Sequence, residues 1–213
     1  MSLRAVVPCH VHAPSPELLE AIAARVDAVL VVDDGLGLEE AARLRDVEVL
    51  KLGGNHGKGT AVARGVARAV ELGDEAVLVI DADGQHPPDA IPAFATAAAR
   101  GAELVIGDRF GDLRGMPLAR RCANLAASLA MAAATRRRVR DTQCGMRLLR
   151  GRALREVPPP PGGFEAETLH LKRCLRAGVE IAWVPIPAIY EGQASAYRPL
   201  RDSARIARAL VRA

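Results

Sequence analysis

A chain of 213 residues, half of them apolar but only six aromatic, must fill its core with Ala, Leu and Val. One domain is expected at this length, with enough chain to bury a substantial core. The net charge of +4 is modest and dispersed and no base-stacking aromatic motif accompanies it, so no nucleic-acid partner is expected. The cations are 26 Arg and three Lys, an imbalance that makes any single Arg weak evidence and any single Lys stronger. Cys9, Cys122, Cys144 and Cys174 are widely spaced with no CxxC pair, which argues against a thiolate metal site or disulfide framework and for a reducing cytosol. No signal peptide is read, because residues 1–8 run directly into a strand. The longest apolar run, 122–134, falls short of the roughly 20 residues a bilayer span takes, and is expected as a buried helix.

Strands and helices alternate along the first half. A strand is expected over 3–7, then a helix over 16–25 with Ser15 as N-cap and Pro16 in its first turn. A strand over 28–32 runs into Asp33-Asp34-Gly35, followed by a helix over 38–44, a strand over 47–50 and a strong helix over 58–72. A strand over 76–80, a helix over 90–100 and a strand over 104–107 complete this half. The alternation implies crossover units and a mainly parallel α/β sheet flanked by helices. Beyond Gly107 come a long helical stretch (117–135), the motif segment 141–150, a Pro-rich turn (158–161), an acidic helix start (165–177), a short strand (180–184) and a C-terminal helix (200–211). The chain is read as a single domain, residues 1–107 forming a nucleotide-binding half and 108–213 an acceptor-side half.

The densest chemical signal is Val77-Leu78-Val79-Ile80-Asp81-Ala82-Asp83-Gly84-Gln85-His86-Pro87-Pro88. In an extended strand tip, residues i and i+2 share a side, so Asp81 and Asp83 can converge on one cation, with Gln85 next in line. Clustered oxygens suit Mg²⁺ or Mn²⁺, which complete their shells with substrate phosphates. Asp-x-Asp-Gly is equally ordinary turn chemistry. Asp33 and Asp34 put two more carboxylates at a strand's carboxyl end, where α/β sheets bind ligands, or serve as turn and capping residues. The glycines of Gly53-Gly54-Asn55-His56-Gly57-Lys58-Gly59-Thr60 free a backbone for close approach to a ligand just before a helix, without Walker A spacing. A solvated surface loop is the alternative. Arg109, after Gly107-Asp108, and Arg147, closing Asp141-Thr142-Gln143-Cys144-Gly145-Met146-Arg147, could fork onto phosphate oxygens or be surface arginines. Glu165 and Glu167 open a helix, where the dipole favours acids in any case; one could also act as general base. Arg198, Arg201, Arg205, Arg208 and Arg212 fall on one helical face, able to rest on anionic lipid, to hold a phosphate-bearing acceptor, or to be simply solvated.

Taken in order, these motifs resemble the family 2 glycosyltransferases of the GT-A fold, a nucleotide-diphospho-sugar transferase architecture related to the Rossmann sheet. Their dolichyl- and polyprenyl-phosphate mannose (or glucose) synthase branch is the most similar. Val-Val-Pro, Val-Val-Asp-Asp-Gly, Asn-His-Gly-Lys-Gly, Asp-Ala-Asp-Gly-Gln-His-Pro-Pro, Gly-Asp-Arg-Phe, Asp-Thr-Gln-Cys-Gly-Met-Arg, Phe-Glu-Ala-Glu and the later Val184 to Ser195 follow that series over nearly the whole chain. The resemblance implies a metal-dependent, inverting transfer of a hexose from a GDP-mannose- or UDP-glucose-type donor to a polyprenyl-phosphate-like acceptor. It implies Mg²⁺ or Mn²⁺ at Asp81, Asp83 and Gln85, and a nucleotide-sugar site of Pro8, His10, Asp33, Asp34, Lys58, Asp81, Ala82 and Asp83. Catalytic roles fall to Asp83, Arg109, Glu165 and Glu167, and acceptor contacts to Arg109, Arg147, Arg198 and Arg201. The implied setting is cytoplasmic, with peripheral contact at the inner membrane face through the basic C-terminal helix.

Two departures stand out. The family's Pro-x-Tyr-Asn-Glu is Pro8-Cys9-His10-Val11-His12 here, and Asp-Asp-Gly-Ser is Asp33-Asp34-Gly35-Leu36. Two other readings compete. A nucleotidyltransferase shares related sheet and metal chemistry but keeps its Gly-rich loop directly after the first strand. A degenerate, sugar-nucleotide-binding scaffold would explain the histidines at positions 10 and 12.

Overall fold

A computed structural model describes residues 1–10, 12–38, 47–111, 118–189, 205 and 208. Among them, one sheet is built from β1 (Leu3–Cys9), β2 (Ala28–Asp33), β3 (Val47–Lys51), β4 (Ala76–Val79), β5 (Leu104–Asp108), β6 (Arg147–Arg150) and β7 (Ile181–Pro185). Its order is β3-β2-β1-β4-β6-β5-β7, all pairs parallel except those of β6. β1, β2, β4 and β5 are near-continuous Val, Leu, Ile and Ala runs, as strands covered on both faces must be. The helices are α1 (Pro16–Ala23), α2 (Lys58–Glu71), α3 (Ile91–Ala99), α4 (Leu118–Thr135), α5 (Gly151–Arg155) and α6 (Glu165–Arg176).

Topology locates the crevice. The chain steps outward from β1 through β2 to β3, then returns through α2 to lay β4 on the other side of β1. Strand order therefore reverses between β1 and β4, and ligands of open α/β sheets bind outside the carboxyl ends at that point. α2 can cross this closely because Gly65 has no side chain. A Cβ there would stand 2.5 Å from Val6 Cγ1 and 2.8 Å from Val32 Cγ2.

Most expected elements lie where patterning put them. Ser15 caps α1 by accepting the Leu18 N–H at 3.2 Å, with Pro16 at the first position. The helix expected over 38–44 falls, beyond Leu38, outside the described residues. So does the C-terminal helix over 200–211, apart from Arg205 and Arg208, which are helical. β6 and α5 were not expected as separate elements. β6 is four residues long and pairs in antiparallel register on both sides, Leu78 with Leu148 and Ile106 with Arg147. A run that short, flanked by arginines, carries no readable alternation.

One expectation is overturned. The 122–134 run is helical but not buried: Ser128 and Met131 are its buried members, while Leu125 and Leu129 are 48% and 61% exposed. Its apolar residues surround the helix, and only a narrow side meets the protein.

Glu103, at the entry to β5, ties three connections together. Its carboxylate takes Arg152 NH2 at 2.9 Å and the N–H groups of Arg152 and Glu180 at 3.0 and 3.3 Å. The Arg152 hydrogen bonds hold the Glu103 pKa down at about 2, from an ordinary 4.5. A depressed carboxyl stabilises the fold above its unfolded pKa and loses that contribution as pH falls towards the folded value. Glu103→Gln should therefore be less stable than the wild-type chain at pH 7 in urea unfolding. The gap should narrow steadily below about pH 4.5; a gap unchanged between pH 5 and pH 3 would contradict this role.

Candidate active site

β4 ends at Val79, and the chain turns at once. Asp83 Oδ1 accepts the Gln85 N–H at 3.0 Å, and Gly84 takes a positive φ of 73°. Asp81 and Asp83 thus meet across a turn, not along an extended tip. Ala82 packs into the core behind them. Within the same turn His86 folds back, its Nδ1 accepting the Asp81 N–H at 3.4 Å. One ligand atom from each of Asp81, Asp83 and His86 lies within 4.8 Å of the others. Gln85 contributes its backbone N–H to the turn.

A lysine faces this cluster. Lys58, the first residue of α2, places Nζ 2.8 Å from Asp81 Oδ1 and 2.8 Å from Glu167 Oε1, and donates a hydrogen bond to Asp81 Oδ2 at 2.9 Å. Burial pushes the Lys58 ammonium down, but Asp81 and Glu167 outweigh it and hold its pKa above the ordinary value. Burial likewise pushes the Asp81 carboxyl up and Lys58 overrides it, for a net fall. Burial drives the His86 imidazole below its ordinary value, against the pull of Asp81. Asp81 Oδ1 is buried and accepts no well-aligned hydrogen bond, although the Lys58 ammonium stands 2.8 Å from it as an ion pair. Two carboxylates and an imidazole this close together fit a divalent cation such as Mg²⁺ or Mn²⁺.

Space for this arrangement depends on glycine. A Cβ on Gly145 would run into Asp81 Oδ2 and stand 3.0 Å from Lys58 Nζ. A Cβ on Gly59 would run into Ala166 and stand 2.7 Å from the Gly163 carbonyl oxygen, so α2 and α6 can start side by side. Thr60 completes the joint, its N–H donating to Gly162 O at 3.0 Å.

Asp34 organises the opposite side of the crevice. It is fully buried; its oxygens accept the His56 and Gly57 N–H groups at 2.7 and 2.8 Å, and His10 Nδ1 lies 2.9 Å away. This ties β1 just beyond Pro8 to the end of β2 and the Gly-rich loop. Asp33 spends its carboxylate on four successive N–H groups, Gly35 to Leu38, at 2.7–3.3 Å. Arg109 forks onto buried Asp141, Nε to Oδ2 at 2.7 Å and NH2 to Oδ1 at 3.0 Å, and its charge reaches Asp81. Glu165 Oε1 accepts the Gly163 N–H at 3.1 Å, and its Oε2 is buried without a partner.

Arg147 corrects the expectation of a phosphate-facing side chain. It is buried and donates to the carbonyls of Cys144, Glu167 and Thr142 at 2.7–2.9 Å. It holds the 141–147 loop against α6. Arg198 and Arg201 lie outside the described residues. All four cysteines are free, as expected; the Cys144 thiol, pushed up to about 12 by burial, packs 3.9 Å from His86 Nε2. Sequence reasoning passed over His86, Gly145 and Asp141 as site residues. The first stood within the quoted acidic motif and the other two within the Arg147 motif, but motif spacing does not reveal which side chains fold back.

A switch-point crevice with an acidic strand end on one side and a buried carboxylate organising the other is the architecture of GT-A glycosyltransferases. Residues 5–157 match the model for Glycosyl transferase family 2, and the chain belongs to that family. An undecaprenyl-phosphate mannosyltransferase of Micrococcus luteus is 32% identical over 173 residues, 74% of this chain and 70% of that protein. A UDP-N-acetylglucosamine–dolichyl-phosphate N-acetylglucosaminyltransferase of Methanococcus voltae is 31% identical over 142 residues, 64% of this chain and 57% of that one. A dolichol-phosphate mannosyltransferase of Pyrococcus furiosus is 28% identical over 168 residues, 70% of this chain and 47% of that one. The fold matches glucosyl-3-phosphoglycerate synthase from Mycobacterium tuberculosis, solved with Mn²⁺, UDP and glucosyl-3-phosphoglycerate, at a TM-score of 0.71 and 21% identity over 99% of this chain and 78% of that one.

Gly145→Ala tests the packing of the cluster. The added methyl must displace Asp81 or Lys58, so Mn²⁺ affinity by isothermal titration should fall at least about tenfold while far-UV circular dichroism stays that of the wild type. Unchanged Mn²⁺ affinity would show that the cation does not use Asp81.

Proposed function

We propose that this glycosyltransferase domain moves a hexose from a nucleotide sugar to a polyprenyl-phosphate-like acceptor, with inversion and with Mg²⁺ or Mn²⁺. The observation that carries the reading is the convergence of Asp81, Asp83 and His86, with the Lys58 ammonium beside them, at the strand switch point. The relatives named for dolichyl- and undecaprenyl-phosphate transfer support the acceptor class. The Mn²⁺ and UDP of the mycobacterial structure support the donor and the metal.

In this reading Asp81, Asp83 and His86 hold the cation, which when bound neutralises charge on the departing nucleoside diphosphate. Lys58 sits beside that position with its ammonium already desolvated, so it needs little rearrangement to meet a phosphate oxygen. Pro8, His10 and Asp34 form the base and ribose side, His10 standing where the family's aromatic does. Asp33 supports them by fixing the 35–38 turn. The acceptor approaches from the half formed by residues 108–213, where Arg109, held by Asp141, supplies positive charge. A phosphate acceptor is already anionic and needs no strong general base. That agrees with Glu167 being committed to Lys58 and leaves Glu165 free to contact the acceptor.

Isothermal titration with GDP- and UDP-sugars, with and without Mn²⁺, tests the proposal. The chain should bind one nucleotide class in a metal-dependent manner, and Asp83→Ala should abolish that binding with little loss of thermal stability. No heat with any nucleotide sugar would overturn the reading.

A further inference from the structure

Of the chain's 29 cationic side chains all but three are arginine, yet the one that closes on the Asp81 carboxylate is a lysine, Lys58. Its Nζ stands 2.8 Å from Asp81 Oδ1 and 2.9 Å from Oδ2, so one ammonium straddles both oxygens. Glu167 Oε1, on α6, lies 2.8 Å from the same Nζ. The three side chains are only 12–16% exposed, and solvent does little to screen them. A Cβ on Gly145 would strike Asp81 Oδ2 first and stand 3.0 Å from Nζ, and the Phe164 ring lies 5.7 Å from it. The ammonium is enclosed, not trailing in water.

Asp81 also converges with Asp83 and His86. A divalent cation and the ammonium therefore compete for one carboxylate, and like charges that close repel strongly where the dielectric is low. Side-chain type decides how firmly the resident cation holds. An Arg would fork onto both oxygens in a fixed plane, whereas Lys is a point charge on a flexible four-carbon stem. It can give up one partner and keep another. Glu167 is that other partner, on a different element from Asp81, so the ammonium can leave Asp81 without being buried unpaired. A clamp that merely held Asp81 in place would have the opposite sign: losing Lys58 would loosen the carboxylate and weaken cation binding.

We propose that Lys58 is a built-in counter-cation, holding the Asp81 carboxylate until a nucleoside diphosphate draws the ammonium away, so that cation and nucleotide bind tightly only together. Diphosphate oxygens replace Asp81 as the second partner of the ammonium, Glu167 is kept throughout, and Asp81 is released to the cation. Each ligand removes an obstacle to the other, a coupling that is reciprocal by linkage. Lys58 thus acts on the cation as a positioning residue, through Asp81. The competition stands on the Asp81–Lys58–Glu167 geometry alone; the part played by the diphosphate rests on the function proposed above.

Isothermal titration of the full chain with Mn²⁺ alone reads the sign. Lys58→Met should bind Mn²⁺ at least about tenfold more tightly than the wild type, and Lys58→Arg, which keeps the charge, no more tightly. Because Lys58→Met also strands Glu167, Lys58→Met/Glu167→Gln removes the ammonium and its second partner together, and it too should bind more tightly than the wild type. Weaker or unchanged binding by a folded Lys58→Met overturns the proposal, as does an equal gain in Lys58→Arg. Should Lys58→Met fail to fold, a double variant no tighter than the wild type overturns it. Adding UDP or GDP should raise the Mn²⁺ affinity of the wild type by a larger factor than that of Lys58→Met; equal factors would remove the diphosphate from the device. A Lys58→Met gain in a chain that responds to no nucleotide keeps the counter-cation and sinks the function.

Discussion

The Lys58 ammonium, clamped between Asp81 and Glu167, is the contact on which the rest of the site depends. It joins three elements that share no strand ladder: the end of β4, the first residue of α2 and the first turn of α6. A buried charge is tolerable only when paired, and removing one partner leaves the other uncompensated. Each member therefore holds the others in place. The same Asp81 carboxylate also converges with Asp83 and His86. One carboxylate thus belongs both to a structural ion pair and to a candidate ligand cluster.

Backbone economy makes the clamp geometrically accessible. Gly145 leaves room for Asp81 and Lys58, and Gly59 lets the ends of α2 and α6 meet. Buried Asp34 anchors the loop that delivers Lys58, through the N–H groups of His56 and Gly57. Asp33 stabilises only its own turn. Two adjacent carboxylates, indistinguishable by type, thus serve different ends: one braces the crevice wall and the other shapes the loop beside it. Arg147 and Arg109 divide in the same way, the first donating to main-chain carbonyls and the second presenting charge near Asp81 from its perch on Asp141.

How far the sequence discloses this depends on range. Long apolar strands and the capped α1 are local, and patterning places them to within a residue or two. The acidic turn, the Gly-rich loop and the pairing of both with a switch point follow from motif chemistry and chain order. β6 is hidden because its antiparallel placement between β4 and β5 is a tertiary decision about four residues. The exposure of α4 is hidden for a related reason: Ala and Leu on every side read as burial, and only the packed structure shows which side is uncovered. His86, Gly145 and Asp141 act by folding back onto distant groups, and spacing alone carries no sign of that. Arg147 reads as a phosphate ligand in the sequence because an Arg in a loop carries the same letter whether it meets phosphate or its own backbone.

The proposed function requires one location for the cation, in the turn after β4 and beside Lys58. Paramagnetic broadening of amide resonances by Mn²⁺ in the presence of nucleoside diphosphate measures that location without altering the chain. The account predicts the strongest loss of signal at Asp81, Asp83, His86 and Gly145, with Asp33 and the 35–38 turn much less affected. Broadening centred on Asp33 and Asp34, or spread evenly over the acidic surface, would contradict it.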